Sequence, residues 1–390
     1  MTPSSPQRRN RQLALTLVLI LATSLLARAR VEAGIDTGQI PPQDGPPRIE
    51  VAFVLDTTGS MSGLIEGAKQ KIWSIANQMA SGQPTPEVRI ALIGYRDRGD
   101  AYVTRVHDLS SDVDAVYGHL QAFSAGGGGD GPESVNQALR EAVNRLSWTP
   151  GDGVYKVVFL VGDAPPHMDY QDDVPYAESV RLARRRGIVV NTVQCGTLAA
   201  TTPIWESIAE AGEGRYVAIR QDGGMIALAT PLDDELARLN RDLADTVVAW
   251  GDGEEQAELE QKRARALAAP APAAASRLGF LAKLGGYANS GRADLVDAVK
   301  DGNADLDEVP AEMLPEPLRA MEPAEREAYV KEKVEERAAI QRQVAEVTKK
   351  RDAWVRAEQA RRAAAGEASA FDAQVLDTIK TQAEAKGITY

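Results

Sequence analysis

Between residues 50 and 248, short β-branched apolar runs alternate with stretches of helical periodicity, and that alternation limits what the chain can fold into more than any other feature. Residues 50–55, 88–95, 102–107, 155–161, 188–194 and 215–219 read as strands. Residues 64–79, 112–123, 133–146, 176–186, 204–211 and 225–248 read as helices. Largely apolar strands alternating with helices imply a mostly parallel sheet covered on both faces, a doubly wound α/β fold. The connection between 95 and 102 is a short turn, so these two strands form a hairpin and put one antiparallel strand at the sheet edge.

The flanking segments have a different character. Arg8, Arg9 and Arg11 precede an apolar stretch from Leu13 to Ala27, and small-residue cleavage patterns follow at Ala27-Arg28-Ala29 and Val31-Glu32-Ala33. Residues 1–33 therefore read as a signal peptide or, given Arg28 and Arg30 just past the apolar run, as an uncleaved N-terminal anchor. Either reading places residues 34–390 across a membrane: the protein is expected to be exported, whether periplasmic, secreted or anchored facing outward. Membrane contact is expected only through that first segment. Residues 34–48 are Pro- and Gly-rich and read as a linker.

The α/β domain is expected over 49–250, a charged and Ala/Pro linker over 251–276, and a strand-free α-helical C-terminal region over 277–390. Pro323 suits the first turn of a long helix running to about residue 365. Its apolar stripe of Val330, Val334, Ile340, Val344 and Val347 is interrupted by Arg337 and Arg351, which favours a packed helix or helical hairpin over a long coiled coil.

The formal net charge of −12 argues against nucleic acid as a partner. Arg184-Arg185-Arg186 precede Gly187 and read as the ordinary C-terminus of a helix. The single cysteine, Cys195, excludes an internal disulfide and reads as a buried core thiol.

Ligands of open α/β sheets bind beyond the carboxyl ends of the strands, and three oxygen-rich segments fall at such ends. They are Asp56-Thr57-Thr58-Gly59-Ser60, the glycine run leading to Asp130-Gly131-Pro132-Glu133, and Gly162-Asp163. Carboxylates and hydroxyls without a thiol suit a hard cation, Mg²⁺ or Mn²⁺. Local alternatives exist for several of these residues. Asp130 and Glu133 also fit a capping box, and Ser60 or Ser62 could cap the first helix. His167 reads as a loop residue lining the site, and Arg98-Gly99-Asp100 as turn chemistry.

Asp56-x-Thr58-x-Ser60 after an apolar strand resembles the D-x-[ST]-x-S signature of the metal-ion-dependent adhesion site in von Willebrand factor A domains, here of the exported bacterial type. The resemblance covers residues 49 to about 248. It implies that Thr58 and Ser60 ligate the metal directly, that Asp56 holds it through water, and that Asp163 is the last acidic residue of the site. Asp130 stands where the family usually has threonine, as in a known subgroup. A directly bound Asp130 would blunt the pull of the metal on a partner's carboxylate. The implied function is a non-enzymatic binding module whose cation coordinates an Asp or Glu of a partner protein. Two other functions remain open. One is a metal-dependent hydrolase, with His167 as the one candidate base; the other is a structural envelope protein acting through its helical tail.

Overall fold

The computed structural model describes residues 45–129, 131–225, 228–284, 293–365 and 371–390. The signal or anchor segment, most of the 34–48 linker and Asp130 lie outside the described residues. Among the described residues no helix is long and apolar enough to cross a membrane.

Six strands form one sheet: β1 (Arg48–Asp56), β2 (Glu87–Tyr95), β3 (Thr104–Ser110), β4 (Tyr155–Gly162), β5 (Ile188–Cys195) and β6 (Glu213–Ile219). Their order is β3-β2-β1-β4-β5-β6, all parallel except β3, which pairs antiparallel with β2 at the edge. The doubly wound reading and its antiparallel edge strand are thus both present. The chain runs outward from β1 to β3, then returns to lay β4 on the other side of β1. That reversal opens a crevice at the carboxyl ends of β1 and β4, where α/β sheets bind ligands.

Alternation along β1 divides the core into two layers. Ile49, Val51, Phe53 and Leu55 face one side, Ala52 and Val54 the other, all buried. The second face is covered by α3 (Val135–Asn144), α4 (Tyr176–Arg185) and α5 (Thr202–Ala211). On the first lie α1 (Ser62–Met79), α2 (Val113–Gln121) and α6 (Asp233–Ala244).

Several boundaries differ by a few residues from the sequence expectation, and two of the shifts have a local cause. Strand β3 begins at Thr104, because Tyr102 is spent anchoring the turn: its hydroxyl meets Thr57 Oγ1 at 2.6 Å and its ring lies between Arg96 and Arg105. Helix α6 begins at Asp233 rather than 225, just after Pro231. There the Asp233 carboxylate accepts from the backbone N–H and the hydroxyl of Thr230, both at 2.8 Å. Beyond it, Val248 is tied to Asp294 and Leu295 by hydrogen bonds.

Packing does not stop at residue 250. After α7 (Gly253–Ala268), the stretch read as an Ala/Pro linker becomes α8 (Ala271–Lys283), with Pro272 in its first turn, where a missing N–H costs nothing. Ala273, Ala274, Ala275, Leu278 and Phe280 of α8 are buried against α1 and α6. The chain continues through α9 (Leu295–Lys300), α10 (Glu316–Arg319), α11 (Pro323–Ala364) and α12 (Phe371–Ala383). Helix α11 packs on α6, α8 and α9, and α12 on α1. Residues 45–390 form one compact unit.

The arginines that interrupt the α11 stripe are buried and paired. Arg337 reaches Asp294 and Asp297, each at 2.8 Å, and Arg351 reaches Asp233 at 2.6 Å.

Candidate metal site

The carboxyl end of β1 delivers Asp56 to the crevice fully buried. Its Oδ1 accepts from the Thr58 backbone N–H at 2.8 Å and from Thr58 Oγ1 at 2.6 Å, which locks the turn that follows the strand. Ser60 Oγ lies 3.4 Å from Thr58 Oγ1. Neither hydroxyl caps a helix, since the cap residue of α1 is Met61 and it makes no side-chain cap bond. The three residues of the short motif are therefore together.

Close approach in this crevice depends on glycine at 162, because a Cβ there would press on the Tyr95 hydroxyl and stand 3.0 Å from Asp56 Cβ. Next in the chain is Asp163, whose Oδ2 accepts from Gln221 Nε2 at 2.7 Å. Gln221, from the loop after β6, was not indicated by any local motif. The backbone carbonyl of Asp163 accepts from Thr201 Oγ1 at 2.8 Å.

The glycine run supplies a third wall. Gly127 and Gly128 take positive φ values of 77° and 81°, and a Cβ on Gly127 would collide with the Asp100 carboxylate. That carboxylate accepts from Gly128 N at 3.2 Å, so the Asp of Arg98-Gly99-Asp100 holds the site loop in place. Arg98 in turn binds Asp172 and Asp173 and lies 4.0 Å over the Tyr170 ring. The tripeptide is thus tied into the protein's own structure.

Glu133 belongs to the site, not to a helix cap. Helix α3 starts one turn later than a capping box would require, with Ser134 as its cap residue. The backbone of Glu133 is bridged to the β4 loop: its N–H donates to Pro165 O at 2.9 Å, and His167 N donates to Glu133 O at 3.0 Å. His167 itself does not line the crevice. Its ring meets Asp169 at 2.8 Å and Asp97 at 3.3 Å and stacks on Tyr170.

Thr58, Ser60, Gly127, Gly128, Glu133 and Asp163 surround a pocket of about 290 Å³, with Cys195, Leu198 and Gln221 also on its wall. Among the described residues none of those lining it is basic. Burial pushes the Asp56 carboxyl up to about 7, and the Asp163 carboxylate adds to the rise. Burial likewise pushes Glu133 up to about 9, helped by the charges of Asp56, Asp97, Asp100 and Asp163. Asp56 Oδ2 and Glu133 Oε2 are buried without a hydrogen-bond partner among the described residues. Burial also holds the Cys195 thiol well above its ordinary range, so it is neutral and a poor ligand.

These observations fit a hard divalent cation: crowded carboxylates, two hydroxyls and no protein cation to balance them. Among the described residues no three His, Cys, Asp or Glu side chains converge to hold a metal by themselves. The Thr58 and Ser60 hydroxyls would have to complete the ligand set.

With the geometry in view, residues 50–225 match the family model described as von Willebrand factor A domain. Among curated relatives, it is 36% identical over 123 residues to von Willebrand factor A domain-containing protein 7 of Homo sapiens. That match covers 32% of this chain and 13% of the relative, so the chain corresponds to a small part of that protein. Among solved structures, it is similar to the conserved hypothetical protein BatB from Bacteroides thetaiotaomicron, 19% identical with a TM-score of 0.35, over 44% of this chain and 90% of that one. It is also similar to proximal thread matrix protein 1 from the mussel byssus with a zinc-occupied MIDAS motif. That structure is 19% identical with a TM-score of 0.34, over 45% of this chain and 43% of that one.

Proposed function

We propose that the pocket holds Mg²⁺ or Mn²⁺ and serves as an adhesion-type protein-binding site, its cation coordinating an Asp or Glu of a partner. Asp56, Thr58, Ser60 and Asp163 are the residues that would hold it. Asp130 is a further candidate, because Gly128 and Gly131 on either side of it border the pocket. When bound, the cation supplies a Lewis-acidic position for a partner's carboxylate. The chain's own contribution is to bury Asp56, to fix Thr58 against it, and to keep basic side chains away. The single observation that carries the reading is that Asp56 and Glu133 each keep a buried carboxylate oxygen without a partner among the described residues, Glu133 on the pocket wall and Asp56 directly behind Thr58, where no described lining residue is basic. No histidine lines the pocket, which favours binding over hydrolysis. We further propose that the protein works after export, with residues 1–33 as its signal or anchor.

The test is thermal unfolding in EDTA and then in rising Mg²⁺ or Mn²⁺. A ligand of the native state alone raises the melting temperature with its concentration. The wild type should respond and Asp56→Ala should not, while Asp130→Ala reports whether that carboxylate contributes. A wild type indifferent to both cations would overturn the metal site. A metal response without metal-dependent capture of an acidic partner peptide would overturn the adhesion role alone.

A further inference from the structure

A second pocket, which shares no lining residue with the candidate metal site, lies among helices of the first face of the sheet. It has a volume of about 640 Å³ and runs between α1, α2 and the junction of α7 with α8. Its walls are of two kinds. Ala268, Pro270 and Pro272 are apolar, while Lys69, Gln121 and Arg265 bring polar ends, and the Glu66 carboxylate also lines the groove but is taken up by Lys69.

Arg265 is the unusual member. The buried arginines of the helical layer each face a carboxylate: Arg277 meets Asp114 at 2.7 Å, Arg337 meets Asp294 at 2.8 Å and Arg351 meets Asp233 at 2.6 Å. Arg265 is half-buried, yet its Nε–H is inaccessible to water and has no hydrogen-bond partner among the described residues. Its guanidinium lies flat over Gly118 of α2, where a Cβ would come within 3.2 Å of Nε and 3.3 Å of Cζ. The absence of a side chain at 118 is what admits it. Lys69, by contrast, is already paired with Glu66 at 2.8 Å. The groove therefore offers one uncommitted planar cation, in a protein whose formal charge is −12.

We propose that this groove binds a small carboxylate-bearing amphiphile, its carboxylate on the Arg265 guanidinium and its apolar body along Ala268, Pro270 and Pro272. Guanidinium and carboxylate match in shape and pair through two parallel hydrogen bonds. The volume suits a ligand of about ten heavy atoms or more. The site is independent of the metal, and nothing in the proposed adhesion role requires it.

The probes are octanoate, acetate and 1-octanol, added to the full chain in EDTA and followed by calorimetry. Octanoate should bind saturably with one site. Acetate should bind about tenfold more weakly or worse, because even two buried methylenes exceed that factor. Octanol, which lacks the charge, should also bind about tenfold more weakly, and Arg265→Gln should lose octanoate affinity by a similar factor. A second readout guards against a variant that fails to fold. His119 follows Gly118 directly, and burial together with the Arg265 charge holds its imidazole below the ordinary range. Octanoate on Arg265 should raise the His119 titration midpoint in the proton NMR spectrum of the wild type, where only three histidines appear. Absence of saturable binding, equal affinity for octanoate and octanol, undiminished binding by folded Arg265→Gln, or an unmoved His119 would each overturn the proposal.

Discussion

Asp56 and Glu133 make the fold's sensitivity to pH and to metal a single property. Both carboxyls titrate above their unfolded values, Asp56 at about 7 and Glu133 at about 9, and burial is the main cause in each. A carboxyl raised in this way stabilises the folded state while it is protonated. Its contribution is complete below about pH 4, where the unfolded chain titrates, and is lost as pH climbs through the folded value. In EDTA the melting temperature should therefore fall between pH 5 and pH 9. A divalent cation offsets the charge that develops, so the gain from Mg²⁺ should widen over the same range. Asp56→Asn should make the EDTA profile shallower between pH 5 and pH 8, leaving the part due to Glu133, and remove most of the metal response. A flat profile in wild type would show that these groups are not the buried acids described.

The same residues mark what could be read in advance. Asp56, Thr58 and Ser60 lie within five positions after an apolar strand, so one local motif names them. Glu133 follows Pro132 at a helix start, where local chemistry suggests a cap. Only its backbone bridge to Pro165 and His167, over thirty positions along the chain, brings it to the candidate pocket. Gln221 is placed by the return of β6 beside β5, which no neighbouring residue announces.

At the scale of elements, the two-sided apolar strands were plain in the sequence because the sheet is buried on both faces. The helices after residue 250 were harder. Ala and Pro alternating near 270 suit an extended linker as well as they suit a first helical turn, and only a partner surface decides between them. Here the surface of α1 and α6 decides for helix, and small side chains let α8 approach closely. In α11 the sequence shows Arg337 and Arg351 as interruptions, because their acidic partners come from α9 and α6. Arg337 is 2% exposed and faces Asp294, which is wholly buried. Removing one partner of such a pair leaves a buried charge uncompensated. Arg337→Ala should cost about 3–5 kcal/mol in urea unfolding. A loss below about 1 kcal/mol, the scale of an exposed pair, would mean that water reaches this site. The joint variant Arg337→Met, Asp294→Asn should recover part of the loss, since it removes the two most buried charges and leaves only the less buried Asp297 without its partner.

The whole molecule joins the candidate site to the C-terminal helices through the first face of the sheet. Phe53 of β1 stacks with Phe159 at 5.8 Å and meets Phe371 of α12 at 6.3 Å, while Trp73 of α1 meets Phe280 of α8 at 6.0 Å. Lys71 of α1 is held by Asp372 at 3.0 Å in a largely buried pair. The end of the chain returns to the loop after α1, where Gln83 and Thr389 form an antiparallel bridge and Ile388 is buried. A chain ending at residue 250 would expose this face, and large exposed apolar patches drive association. It should bind a hydrophobic dye and aggregate, where residues 45–390 unfold cooperatively as one unit.

A chain ending at residue 365 tests a finer point. It keeps α8 and α11 but loses α12, and with it the bond from Phe371 N to Gly223 O at 2.9 Å. Gly223 lies two residues beyond Gln221, which steadies the Asp163 carboxylate. Loss of α12 should free that loop and weaken the Mg²⁺-dependent rise in melting temperature, even where the shortened chain stays folded. Gln221→Ala in the full chain should reproduce the weakened metal response with little effect on stability in EDTA. If the shortened chain responds to Mg²⁺ as fully as the intact one, α12 covers the core without supporting the site.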